Sequence, residues 1–162
     1  MGCNAGPVHL NWMFREPFDL TIHSRHINGD FTLPTQGCLS LIATQQQAVN
    51  KMIDQSTCGL VVVGELTDPN EIACIQEALP NIGWPIIVDA SSGLSLVDLP
   101  NKVLAFEDVL RAPPSAFSPD LVVHFGNGLC TKRYELWLNE LQCPKLIFNA
   151  RPILSNPSAS PV

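Results

Sequence analysis

The stretch Gly59-Leu60-Val61-Val62-Val63-Gly64 sets four consecutive apolar residues between two glycines. A run with no polar face has nothing to offer water, so it reads as a strand buried on both sides, as in a parallel sheet. The flanks agree. Thr67-Asp68-Pro69 supplies capping side chains and then a proline at a first helical position. Ile72, Ile75 and Leu79 recur at helical spacing before Pro80 stops the helix. Working outward, the cycle repeats. Leu41 to Ile53 is expected to be helix, with Ile42, Val49 and Ile53 among its apolar positions and Gln45-Gln46-Gln47 on a polar side. Pro85-Ile86-Ile87-Val88-Asp89 reads as a second buried strand, and Phe106 to Leu110 as a short helix ended near Pro113-Pro114. Asp120 to Gly126 follows as a third strand, Leu129 to Leu141 as a helix and Lys145 to Asn149 as a fourth strand. Strands alternate with helices and hairpin signals are few. The expected fold is therefore α/β, a three-layer arrangement in which a mostly parallel sheet carries helices on both faces, with right-handed crossovers.

The first forty residues lack this regularity. Pro7-Val8-His9-Leu10-Asn11 is a short strand-like run, Pro17 breaks the path, and Asp19 to Gly37 has no sustained periodicity. Residues 1–38 are expected to be the end of an upstream domain and a linker, 39–150 a central α/β domain, and 151–162 a flexible tail rich in Ser and Pro. The Met1-Gly2 start lacks the basic and apolar regions of a signal peptide, and Gly6 stands where a myristoylation signal needs Ser or Thr.

Apolar residues make up 46% of the chain and charged residues 15%, enough for a sizeable core under a surface sparse in charge. That balance suits a domain partly covered by a neighbour. A net charge of −6 without any Lys/Arg run argues against nucleic acid or an anionic membrane surface as partner. No stretch approaches the roughly 18 apolar residues of a membrane span. Six cysteines (Cys3, Cys38, Cys58, Cys74, Cys130, Cys143) are scattered without CxxC pairs, and they read as buried or semi-buried free thiols in a reducing compartment. His23 and His26 lack a third ligand nearby, so no metal site is expected.

In open parallel sheets, ligands gather beyond the carboxyl ends of the strands, which directs attention to the loop after each strand. Gly64-Glu65-Leu66-Thr67 contains no glycine-rich phosphate cradle. Asp89, ahead of Ala90-Ser91-Ser92-Gly93, is read as a turn cap before a catalytic acid. Gly126-Asn127-Gly128-Leu129-Cys130-Thr131-Lys132-Arg133 is the most informative loop. Gly126 and Gly128 permit a tight turn and close approach of another backbone. Lys132 and Arg133 fall near a helix start, where cations oppose the helix dipole and gain nothing from it. With free backbone N–H groups they would form an anion site. The alternative is that both side chains reach solvent or pair with Glu135 or a nearby acid. Cys130 sits in the same electropositive turn, where a thiol pKa could fall. It lacks an assignable base, and buried filler is the preferred reading.

Gly6-Pro7-Val8-His9-Leu10-Asn11 followed by Phe14-Arg15-Glu16-Pro17 resembles the end of the first domain of the 2-succinyl-5-enolpyruvyl-6-hydroxy-3-cyclohexene-1-carboxylate synthases. This is the thiamine-diphosphate-dependent family of menaquinone and phylloquinone biosynthesis. Gly64, then Gly83-Trp84-Pro85 with Asp89 at the end of the next strand, look like landmarks of its Rossmann-like central domain. Gly126 through Lys132-Arg133 resembles the family's Gly-Ser-Ser-Leu-Thr-x-Lys-Arg loop, with Asn127 and Gly128 in place of the serines and Cys130 and Thr131 altering the turn. Trp12-Met13 and the sequence after Arg151 also depart from the pattern. The resemblance implies a parent enzyme that decarboxylates 2-oxoglutarate and joins the product to isochorismate, using thiamine diphosphate and Mg2+. It further implies a cytoplasmic setting (chloroplast stroma if the source is a plant) and a homo-oligomeric parent. The cofactor belongs to separate pyrimidine- and pyrophosphate-binding domains, and the chain has no Gly-Asp-Gly magnesium motif. The resemblance thus implies a catalytically silent fragment that binds no cofactor itself, in which Lys132 and Arg133 contact substrate carboxylate and Gly126, Asn127 and Gly128 support them. Two rivals stay open: a central domain of an acetolactate-synthase-like thiamine enzyme, and a stand-alone nucleotide- or metabolite-binding module.

Overall fold

A computed structural model describes residues 9–11, 13, 40–112 and 117–149. The chain divides into two compact units, Met1–Ser40 and Leu41–Val162. In the first, His9, Leu10, Asn11 and Met13 are exposed and lie in no helix or strand, so the strand expected over Pro7–Asn11 is absent at His9–Asn11. The remaining readings for residues 1–38, including the two histidines, Cys3 and Cys38, and those for 151–162 lie outside the described residues.

Among its described residues the second unit has four strands, β1 (Gly59–Val63), β2 (Ile86–Val88), β3 (Leu121–Phe125) and β4 (Lys145–Phe148). All pair in parallel, in the order β2-β1-β3-β4. Among the same residues four α-helices accompany them: α1 (Ala43–Gln55), α2 (Pro69–Ala78), α3 (Phe106–Arg111) and α4 (Lys132–Glu140). Every residue of β1 is buried, as its apolar run requires. Successive side chains of a strand point to opposite faces, and the core divides accordingly. Leu60 and Val62 join Ile87, Val122, Leu110 of α3, and Tyr134, Trp137 and Leu138 of α4 on one face. Val61 and Val63 join Ile86, Val88, Ile75 of α2, Leu79, Leu94 and Leu99 on the other. Helices thus cover both faces, the three-layer α/β arrangement read from the sequence.

Local chemistry explains the boundaries. The Asp68 side chain accepts from Asn70 N–H at 2.9 Å and Pro69 opens α2, while Pro80 falls in a 3-10 turn over Leu79–Asn81 that ends it. Gly59 lies beneath Trp84, where a Cβ would come within 2.3 Å of the indole. Helix α1 forms over nearly the expected span but buries no residue; Val49, Met52 and Ile53 are half-buried and Ile42 is exposed. At the opposite end of the sheet from the ligand-side loops, the Asp120 carboxylate ties the start of β3 to the approach to β1. It accepts from Thr57 N–H (2.8 Å), Thr57 Oγ1 (3.0 Å), Cys58 N–H (3.1 Å) and the Ser56 hydroxyl. These bonds, with Ser56 contributing most, hold its pKa down to about 2.

The order of strands fixes where a ligand would sit. The chain leaves β1 for β2 on one side, then crosses back past β1 to β3 and on to β4. The direction reverses between β1 and β3, and in open parallel sheets the ligand crevice lies beyond the carboxyl ends of the strands at such a point.

Candidate functional site

Two loops meet at that crevice, Gly64-Glu65-Leu66 after β1 and Gly126-Asn127-Gly128 after β3, and they touch through backbone. Gly64 N–H donates to Phe125 O at 2.9 Å, and Asn127 N–H donates to Glu65 O at 3.0 Å. Gly126 has φ +81°, and a Cβ there would lie 2.4 Å from Glu65 O. A Cβ on Gly64 would lie 1.8 Å from Asn127 O. Glycine is therefore required once on each loop. At Gly128 the nearest atom to an added Cβ is Glu135 Oε1 at 3.7 Å, so the close approach expected there is not found.

Asn127 is the hub of this contact. Besides its N–H, its Nδ2 donates to Glu65 Oε2 at 2.8 Å, and its Oδ1 accepts from Asn149 Nδ2, beyond β4, at 2.8 Å. Its carbonyl accepts from His124 Nε2 at 2.9 Å. A carbonyl can only accept, so Nε2 carries the hydrogen and Nδ1 is left as acceptor for the Tyr134 hydroxyl, also 2.9 Å away. His124 is buried in β3 and Tyr134 in the first turn of α4. Burial lowers the His124 pKa, partly opposed by the Asn127 carbonyl, and burial raises that of the Tyr134 hydroxyl. Neither residue was singled out in the sequence, although a histidine in the apolar run Leu121–Phe125 was the available signal.

The capping role expected of Asp89 is present, and it extends further. Its Oδ1 accepts from Ser91 N–H at 2.9 Å, while its Oδ2 accepts from Cys130 N–H at 3.0 Å, joining the loops after β2 and β3. Burial would raise the Asp89 carboxyl, but the bonds from Ser91 and Cys130 outweigh it and the pKa falls below the usual value. Cys130 reverses both sequence readings. Its thiol is exposed rather than buried, and it donates to Asp89 Oδ1 at 3.3 Å. That hydrogen bond and the nearby carboxylate charge raise the thiol pKa, where a positive turn would have lowered it. The described cysteines are free, as expected, but Cys58, Cys74 and Cys130 are exposed and only Cys143 is half-buried.

Helix α4 begins at Lys132, three residues later than expected, because the Thr131 hydroxyl caps it by accepting from Arg133 N–H at 3.2 Å. Lys132 and Arg133 are thus its first two residues, at the ligand-side rim, and both are exposed. Arg133 does not pair with Glu135. Its Nε lies 3.6 Å from Glu107 Oε2 at the start of α3, with both side chains about half exposed. From there it borders an open groove of about 260 Å³ between α3 and α4, with Leu110 and Trp137 in its lining. Among the described residues, Lys132 makes no ion pair. The same residues contain no helix long and apolar enough to cross a membrane and no cluster of three or more metal-ligating side chains.

Comparison with known proteins gives this rim a context. Residues 35–147 match a family described as the middle domain of thiamine pyrophosphate enzymes. A 2-succinyl-5-enolpyruvyl-6-hydroxy-3-cyclohexene-1-carboxylate synthase of Syntrophus aciditrophicus (strain SB) is 28% identical over 146 residues, covering 80% of this chain and 25% of the relative. Enzymes of the same name from Synechococcus sp. (strain RCC307) and Lysinibacillus sphaericus (strain C3-41) are 29% and 26% identical, covering 99% and 75% of this chain and 28% and 22% of their own lengths. The chain spans about a quarter of the length of these curated relatives. The chain belongs to the family of thiamine pyrophosphate enzyme middle domains and, within it, is similar to those of the 2-succinyl-5-enolpyruvyl-6-hydroxy-3-cyclohexene-1-carboxylate synthases.

Proposed function

We propose that this chain serves as the central domain of a synthase of menaquinone biosynthesis, cytoplasmic or stromal, that joins decarboxylated 2-oxoglutarate to isochorismate. In this reading residues 39–150 form the domain and 1–38 lead out of a pyrimidine-binding domain. The catalytic centre is then completed by that domain and a pyrophosphate-binding domain, in a homo-oligomer. The domain itself is architectural, with one chemical contribution: Lys132 and Arg133 hold substrate carboxylate through charge-assisted hydrogen bonds. The observation that carries this is the pair of exposed cations opening α4 beside the crevice, where the helix dipole gives them no stabilising role. Among the described residues, the Arg133 side chain has one ion pair, the half-exposed one with Glu107, an interaction worth at most about 1 kcal/mol. An arriving carboxylate can displace it at little cost.

The diphosphate of thiamine diphosphate does not fit the described residues: Glu65 and the buried Asp89 put carboxylates at the crevice, and the N–H groups of Asn127 and Cys130 that could cradle phosphate already donate to Glu65 and Asp89. For Mg2+, the described residues bring no three metal-ligating side chains together. In this reading the cofactor belongs to the other domains.

The test is the double substitution Lys132→Gln with Arg133→Gln, made in the polypeptide that joins this domain to the thiamine-binding domains. Stability should be unchanged or slightly higher, since each exposed cation at a helix start costs about 0.3–1 kcal/mol. Each lost charge-assisted bond is worth about 1.5–3 kcal/mol, so kcat/KM for isochorismate should fall about ten- to hundredfold per residue. The 2-oxoglutarate decarboxylation step should change little. Normal isochorismate kinetics would remove the site assignment and leave the family membership intact.

A further inference from the structure

The segment Gly128-Leu129-Cys130-Thr131-Lys132-Arg133 is bounded by Asn127 and Tyr134, and one imidazole holds both bounding residues. His124 Nε2 donates to the Asn127 carbonyl and Nδ1 accepts from the Tyr134 hydroxyl, each at 2.9 Å. We propose that His124 is a positioning residue for the Lys132–Arg133 end of α4, tying the loop before it and the helix turn after it to strand β3. The proposal rests on the reading of Lys132 and Arg133 given above and adds the group that sets where they stand.

Packing alone does not account for a histidine here. Its neighbours in β3 are Val122, Val123 and Phe125, and the strands on either side place Val62 and Ile147 opposite it. An apolar side chain would serve such a site without the desolvation of two ring nitrogens. Both nitrogens are hydrogen-bonded. The other polar groups of Asn127 are engaged by Glu65 and Asn149, leaving its carbonyl to His124. The Tyr134 hydroxyl is buried at 1% residue exposure, with His124 as its hydrogen-bond partner. Midway along the segment, Cys130 N–H is pinned by Asp89. The segment is therefore fixed at its two ends by one ring and at its middle by one carboxylate. Lys132 and Arg133 are exposed at the end of that frame, Arg133 with its ion pair to Glu107.

The two bonds can be separated by substitution, because asparagine reproduces the δ side of the imidazole and glutamine the ε side. His124→Asn should keep an acceptor for Tyr134 and lose the Asn127 bond; His124→Gln should do the reverse. Amide hydrogen exchange on this chain reads the frame without any assumption about activity. In both variants, exchange at Cys130 and Arg133 should quicken about five- to tenfold, the effect of one net hydrogen bond, while amides of β1 stay protected. In the polypeptide that carries the thiamine-binding domains, KM for isochorismate should rise several-fold with kcat changed less. Unchanged exchange at Cys130 and Arg133 in both variants overturns the proposal. Faster exchange with an unchanged KM also overturns it, provided Lys132→Gln with Arg133→Gln does raise KM. Where that double variant leaves KM unchanged as well, it is the Lys132–Arg133 reading that fails.

Discussion

Replacing Gly126 by alanine tests whether the two ligand-side loops are held together by backbone contact. Two costs can be worked from the structure. At φ +81° an alanine is in the left-handed region, which costs about 1–2 kcal/mol. Its Cβ would also stand 2.4 Å from Glu65 O and 3.0 Å from Glu65 C. The obstacle is a backbone carbonyl that cannot rotate away as a side chain would, so the loops must part. The Asn127 N–H to Glu65 O bond bridges the same two loops, and losing it adds about 0.5–1.5 kcal/mol. Gly126→Ala should therefore cost about 1.5–3.5 kcal/mol. Gly93 provides the control. Its φ is +76°, but an added Cβ meets only the Ile72 side chain, at 3.2 Å or more. Gly93→Ala should pay the dihedral strain alone, about 1–2 kcal/mol. Urea unfolding of both variants, with m unchanged, measures the difference through the midpoints. If Gly126→Ala proves no more destabilising than Gly93→Ala, the interlock is not what holds the rim.

Acid should weaken the fold in two separate windows. The folded pKa of His124 lies below its unfolded value, so its contribution is complete above about pH 6.5 and declines as pH falls below that. Asp120 is depressed to about 2, so its contribution is present above about pH 4 and is lost as pH falls toward 2. Denaturation midpoints measured from pH 8 to pH 3 should keep the upper window in Asp120→Asn and lose it in His124→Gln; the opposite pattern would contradict both assignments. Trp137 is buried in the α4 face and stacks on Phe117 with ring centroids 6.5 Å apart. Trp137→Ala should cost about 3–5 kcal/mol in the same assay, and a loss below about 1 kcal/mol would mean that α4 is not docked through it.

Periodicity and punctuation were enough to read the layers of this domain. Strands such as Leu60–Val63 must be buried on both faces because they carry no polar side, and the Asp68-Pro69 start and Pro80 stop of α2 follow from local backbone chemistry alone. Lys132 and Arg133 could also be placed at a helix start from their position in the chain, since they follow a strand and a glycine turn. What lies between those landmarks depends on atoms distant in sequence. Glu65 meets Asn127 across 62 residues and Asp89 meets Cys130 across 41, contacts that exist only once the strand order brings the loops after β1, β2 and β3 to one rim. The same geometry turned Cys130 from a buried or activated thiol into an exposed one facing a carboxylate, and gave Arg133 to Glu107 instead of Glu135. It made Gly64 a required glycine and relieved Gly128 of that role. Which segments become strands and helices can be read along the chain, because hydrophobic burial and capping act within a few residues. The hydrogen-bond partners at the site cannot, because a side chain's partner is set by which loops the sheet topology makes neighbours.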